Sequence, residues 1–106
     1  MNERSIIEKA KQRLIAENEN VYVWQSHKKA FYPEQDIFGC FDLIALDRET
    51  GATAFIQVTS IQHLSDRIKK CVQIFSSLNA MFPTNSHVWA YDEKNDTWKT
   101  HQLREI

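Results

Sequence analysis

A chain of 106 residues, 42% hydrophobic and 25% charged, has the means to build one compact core and no room for a second. Two glycines and two prolines beside three Trp, three Tyr and six Phe exclude a low-complexity or collagen-like chain. A formal net charge of -1 excludes a generally basic protein, so any nucleic-acid site must be a local patch.

The opening Met1-Asn2-Glu3-Arg4-Ser5 lacks the basic-then-apolar order of a secretion signal, and no run of about 18 apolar residues follows. The expectation is a cytoplasmic protein with no membrane partner. From Glu3 to about Glu17, Ile6, Ile7, Ala10, Leu14 and Ile15 recur at helical spacing, with Lys9, Lys11, Gln12 and Arg13 between them. After Asn18-Glu19-Asn20, the β-branched and aromatic Val21-Tyr22-Val23-Trp24 predicts a strand over 20–26. Residues 26–39, punctuated by Pro33 and Gly39, show neither period and read as a loop.

Cys40 to Asp47 is an apolar run interrupted by Asp42; Glu49-Thr50-Gly51 then signals a turn into a second arm, Ala52 to Thr59. Period 2 places Phe55, Gln57 and Thr59 on one face of that arm and Ile56 and Val58 on the other, the mark of a strand covered on both sides. Leu64, Ile68, Cys71, Val72, Phe75 and Leu78 predict a second helix ending near Ala80, started near His63 or Ser65. His87 to Tyr91 and Thr97 to Thr100 predict a closing hairpin. The resulting order is αβββαββ, a single α/β domain over residues 1–106 with helices on a central mixed sheet. No Gly-rich phosphate loop or internal repeat is present. Cys40 and Cys71 form no CxxC pair, so spacing supports neither a zinc knuckle nor a redox dithiol; both are expected buried and reduced, a disulfide being the less favoured state.

Chemistry concentrates on the hairpin. A carboxylate inside an apolar strand needs a hydrogen-bond partner or a metal, because desolvating an unpaired charge is costly. Asp42 is such an acid, with Gln57 and Thr59 on the partner arm; the alternative is an acid that caps a turn at the strand end. Gly39-x-x-Asp42-Leu43-Ile44-Ala45, a turn, and Phe55-Ile56-Gln57-Val58-Thr59 resemble the catalytic hairpin of the PD-(D/E)XK nuclease superfamily, especially its Holliday junction resolvase and VRR-NUC branches. The resemblance covers roughly residues 3 to 91, and a similar Gln-Val-Thr-Ser followed by Arg-x-x-Lys, here Arg67 and Lys70, occurs in small phage and prophage proteins.

The resemblance implies a restriction-endonuclease-like αβββαβ core and Mg²⁺- or Mn²⁺-dependent hydrolysis of DNA, duplex or branched. It also implies roles. Asp42 would hold the metal, with Gln57 standing where the superfamily carries an acid and supplying an oxygen without charge. Thr59 stands where it carries a lysine, so Lys70, or in second place Lys69, would reach the site from the following helix. Glu3 fits the metal-site glutamate that resolvases place on their first helix; alternatively it favours that helix's N-terminal dipole. Arg67, Lys69, Thr59, Lys28 and Lys29 would meet the substrate, with Asp36 and Glu34 as weaker metal candidates; Arg67, Lys69 and Lys70 read equally as a solvated helix face. His27, His63, His87 and His101 lack zinc spacing, and Trp24, Trp89 and Trp98 read as core or interface. The rival function is an inactive nuclease-fold module that binds DNA or a host protein, with a homodimer among the expected partners.

Overall fold

The computed structural model describes residues 1–26 and 36–104. Lys28, Lys29 and Glu34, with His27, Phe31 and Tyr32, lie outside the described residues. The elements are α1 (Glu3–Glu17), β1 (Val21–Gln25), β2 (Leu43–Asp47), β3 (Thr53–Ser60), a 3-10 turn (Ile61–His63), α2 (Leu64–Ser77), β4 (Ser86–Asp92) and β5 (Thr97–Leu103), in the expected order. They form a mixed α/β domain with a five-stranded sheet in the order β1-β2-β3-β4-β5. β3 and β4 run parallel across the α2 crossover, and every other neighbouring pair is antiparallel. No helix among the described residues is long and apolar enough to cross a membrane.

Helix α1 begins where the Asn2 side chain accepts the Ser5 N–H at 2.9 Å, which satisfies one of the first-turn donors a helix cannot pair internally. Its buried stripe is Ile6, Ala10 and Leu14, narrower than the sequence suggests, since Ile15 faces solvent. The stripe packs on Leu43, Ala45, Ile56, Val58, Trp89 and Tyr91. Arg13 lies over the Trp89 ring, 4.5 Å from its centroid, closing this face with a cation–π contact.

On the opposite face, Cys71 and Phe75 of α2 pack with Cys40, Phe41, Val88 and Leu103. Here the structure corrects an expectation: Cys40 and Cys71 are joined as a disulfide, with their Cα atoms 5.6 Å apart. Packing is the reason. A tight turn, with Phe38 and Gly39 both at positive φ, swings Cys40 and Phe41 under α2, where Cys71 is the buried residue that meets them. Helix α2 stops at Ser77 rather than near Ala80, because Asn79 takes a left-handed conformation (φ 52°). β2 likewise begins at Leu43, leaving Cys40, Phe41 and Asp42 ahead of the strand.

Candidate functional site

Alternation along β3 decides which face carries the chemistry. Ile56 and Val58 point to α1, so Phe55, Gln57 and Thr59 point to the α2 side. Asp42 stands immediately ahead of the β2–β3 register, in which Leu43 faces Ile56, and its N–H is bonded to the Ile56 carbonyl, one residue from Gln57. The two meet there: Gln57 Nε2 donates to Asp42 Oδ2 at 3.0 Å.

Asp42 leaves the ladder at this point. Its N–H donates to the Ile56 carbonyl, and its own carbonyl accepts the Ser26 N–H, so the backbone is fixed from both neighbouring strands. The carboxylate then takes the Val58 N–H at 2.8 Å, replacing a main-chain acceptor with a charged one. Both Asp42 and Gln57 are 1% exposed, so these donors satisfy a carboxyl group that has been taken out of water.

The Gln57 amide is oriented by its surroundings. Its nitrogen faces two acceptors, Asp42 Oδ2 and the Val58 carbonyl at 3.3 Å, which fixes the oxygen on the other side. That oxygen, Oε1, is buried and has no hydrogen-bond partner among the described residues. An acceptor left in this state loses its hydration without repayment, a cost of about 1–3 kcal/mol.

Other sequence-predicted residues gather less closely. Thr59 is buried on the Gln57 face, two residues along β3. Arg67 and Lys70 are half-buried while Lys69 is exposed. Cys71 is tied to Cys40, and Ile74 is the side chain nearest Gly39, so the stripe of α2 bearing 67, 70, 71 and 74 faces the turn that leads into Asp42. Lys69 instead flanks a shallow groove with Ile68, Val72, Gln73 and Ser76, turned away from that stripe. Position 70 is therefore on the stripe of α2 that faces the turn, and position 69 is not.

Glu3 is exposed in the first turn of α1, the helix that packs against the Ile56 and Val58 face of the sheet. Asp36 accepts the Ser26 hydroxyl at 3.2 Å and stays half-buried near the backbone of Asp42. His63 is exposed at the end of the 3-10 turn. Among the described residues, no group of three or more His, Cys, Asp and Glu side chains is placed to hold a metal ion.

Sequence reasoning missed three participants: the Val58 N–H, the Ser26 anchor and the disulfide. A backbone N–H taken by a side chain rather than by a neighbouring strand leaves no mark in residue type, although Ser26, two residues after Trp24 and just past β1, was accessible by alternation. No family model matches the chain, and no curated protein or solved structure matches it either.

Proposed function

We propose that this domain has a restriction-endonuclease-like core that holds one divalent cation, Mg²⁺ or Mn²⁺, at Asp42 and Gln57 and hydrolyses DNA phosphodiesters. The observation that carries the reading is the orphaned Gln57 Oε1, a buried acceptor attached to a side chain that also grips a buried carboxylate. Both groups offer oxygen, the ligand a hard cation takes, but with Nε2 on Asp42 the Gln57 oxygen points away from the carboxylate, so joint ligation requires the amide to turn. The donor set falls short in charge by the one acid that Gln57 replaces.

A bound cation supplies Lewis-acid polarisation of a phosphoryl oxygen. Asp42 contributes the negative charge that attracts it, and Gln57 Nε2 with the Val58 N–H holds that carboxylate in one orientation. Arg67 and Lys70, on the stripe of α2 beside the turn, bring positive charge toward phosphate oxygens and toward charge that develops on them.

A second reading has its own support. An amide nitrogen rather than an acid lies against Asp42, and Thr59 replaces the usual lysine, an arrangement that suits a module binding DNA or a host protein without cutting it.

Calorimetric titration with Mn²⁺ tests the metal. The parent should bind weakly, Asp42→Asn should abolish binding, and Gln57→Glu should tighten it by about tenfold or more, since an added carboxylate strengthens attraction to a divalent ion. Equal binding by all three proteins removes the site. Nicking of plasmid or branched DNA with Mn²⁺, stopped by chelator, separates the enzyme from the binding module.

A further inference from the structure

The two edges of the sheet differ in a way that the site does not explain. The β5 edge, Thr97 to Leu103, carries Lys99 and a run of polar residues, a usual defence against pairing with another chain. The β1 edge reads Val21-Tyr22-Val23-Trp24-Gln25, with no charge, proline or glycine.

Its hydrogen-bonding groups are set out by the ladder with β2. Ser26 N–H donates to Asp42, and Asn20 accepts the Arg48 N–H, so even-numbered residues of this strand turn their backbone groups inward. Val21, Val23 and Gln25 turn theirs outward. The Val21 N–H is taken by the Asn18 carbonyl, which leaves the N–H of Val23 and Gln25 and three carbonyls facing away from the sheet.

Side chains on this strand show the same openness. Tyr22 is 54% and Trp24 43% exposed, on the face they share with their partners Leu46 and Ile44. Helix α2 covers β3 and β4 and stops short of this part of the face.

We infer that β1 pairs antiparallel with β1 of a second copy, about a two-fold axis through Val23, to make a continuous sheet. This register sets Val23 against its own counterpart and Tyr22 against Trp24 of the other copy. It forms four backbone hydrogen bonds, two between the Val23 residues and two from Gln25 N–H to the Val21 carbonyl. A two-fold axis brings each strand against itself, and an uncharged strand meets no like charge there. The Tyr–Trp pairs, formed twice, cover the exposed half of each ring.

Area sets the strength. A half-exposed Tyr or Trp leaves roughly 100 Å² for a partner to cover, so four rings supply about 400 Å², against about 1,200 Å² for the smaller stable interfaces. The dimer is accordingly weak and concentration-dependent. It is independent of the nuclease reading, since no residue of the Asp42–Gln57 pair takes part.

Sedimentation velocity over roughly 10 µM to 1 mM tests it. The parent should shift from monomer toward dimer across this range. Tyr22→Lys should weaken association by about tenfold or more, and the double variant Tyr22→Lys/Trp24→Glu should regain part of it, because the register sets each lysine opposite a glutamate. Val23→Pro, which removes an outward N–H and leaves the ladder to β2 intact, should abolish it. Circular dichroism and thermal melts confirm that each variant is folded. A parent that stays monomeric throughout, including one whose edge serves a different protein, overturns the proposal. Association unchanged by Tyr22→Lys and Val23→Pro overturns it too, and loss in Tyr22→Lys without rescue in the double variant overturns the register.

Discussion

At the scale of single residues, the two half-buried cations of α2 are the sharpest test of catalysis. Lys70 shares a stripe with Cys71, which is tied to the turn before Asp42, whereas Lys69 faces the outer groove. If Lys70 stabilises developing charge on a phosphate, Lys70→Ala should lower DNA cleavage by about 100-fold, the scale of losing one preorganised electrostatic group. Lys69→Ala should cleave like the parent. Adding Thr59→Lys to Lys70→Ala should recover part of the rate, because position 59 lies on the Gln57 face of β3. A plasmid-nicking assay reads all three, and parental cleavage by Lys70→Ala ends the argument for a lysine supplied by α2. The nearness of Asp42 and Gln57 was legible in advance from the hairpin, although Asp42 reaches Gln57 from a bend ahead of β2 rather than from a paired strand position. Helical spacing alone left open which of Lys69 and Lys70 turns toward the sheet, and the contacts of Cys71 and Ile74 with the turn put position 70, not 69, on the stripe that faces it.

Among the elements, the β2–β3 hairpin is held by one carboxylate. Asp47 Oδ1 accepts the N–H of Glu49 at 2.8 Å and of Thr50 at 3.1 Å, and Asn18 Nδ2 donates to Oδ2 at 3.0 Å, joining the turn to the end of α1. The backbone N–H bonds from Thr50 and Glu49 hold its carboxyl below the ordinary value of 3.8. A depressed folded-state value stabilises the fold at pH above the unfolded value, and that contribution disappears as pH falls below about 4 through the folded value. The parent should therefore lose thermal stability over this acid range by more than Asp47→Asn does, as melts at a series of pH values will read. Identical acid profiles would mean that the turn gains nothing from the charge. Glu49-Thr50-Gly51 made this turn readable from sequence, as β-branched and apolar runs made the strands on either side of it. The start of β2 was not readable, because Cys40 and Phe41 are apolar enough for a strand and only the turn through Phe38 and Gly39 takes them out of it.

For the whole molecule, the sequence specifies element order and two helix-covered sheet faces through periodicity, yet the covalent link between Cys40 and Cys71 escapes it. Cysteines 31 residues apart, outside any paired motif, carry no spacing signal. Their meeting depends on a turn and a helix that must already be packed. Both cysteines are fully buried in the α2-side core, so the bond ties the turn that delivers Asp42 to the helix that carries Lys70. Closing a loop of this length in the unfolded chain is worth about 3–4 kcal/mol in the chain-entropy treatment. For a domain of about 100 residues that corresponds to a fall of roughly 15 °C in melting temperature when the bond is reduced. Reduction leaves the same side chains in place, so a melt with and without a phosphine reductant isolates the covalent constraint, and thiol alkylation followed by mass measurement confirms each state. The variant Cys40→Ala/Cys71→Ala should melt near the reduced protein and ignore the reductant. If the oxidised and reduced proteins melt within about 2 °C of each other, packing around Cys40, Phe41, Phe75 and Val88 holds the turn to α2 unaided, and the bond adds no constraint that the core does not already impose.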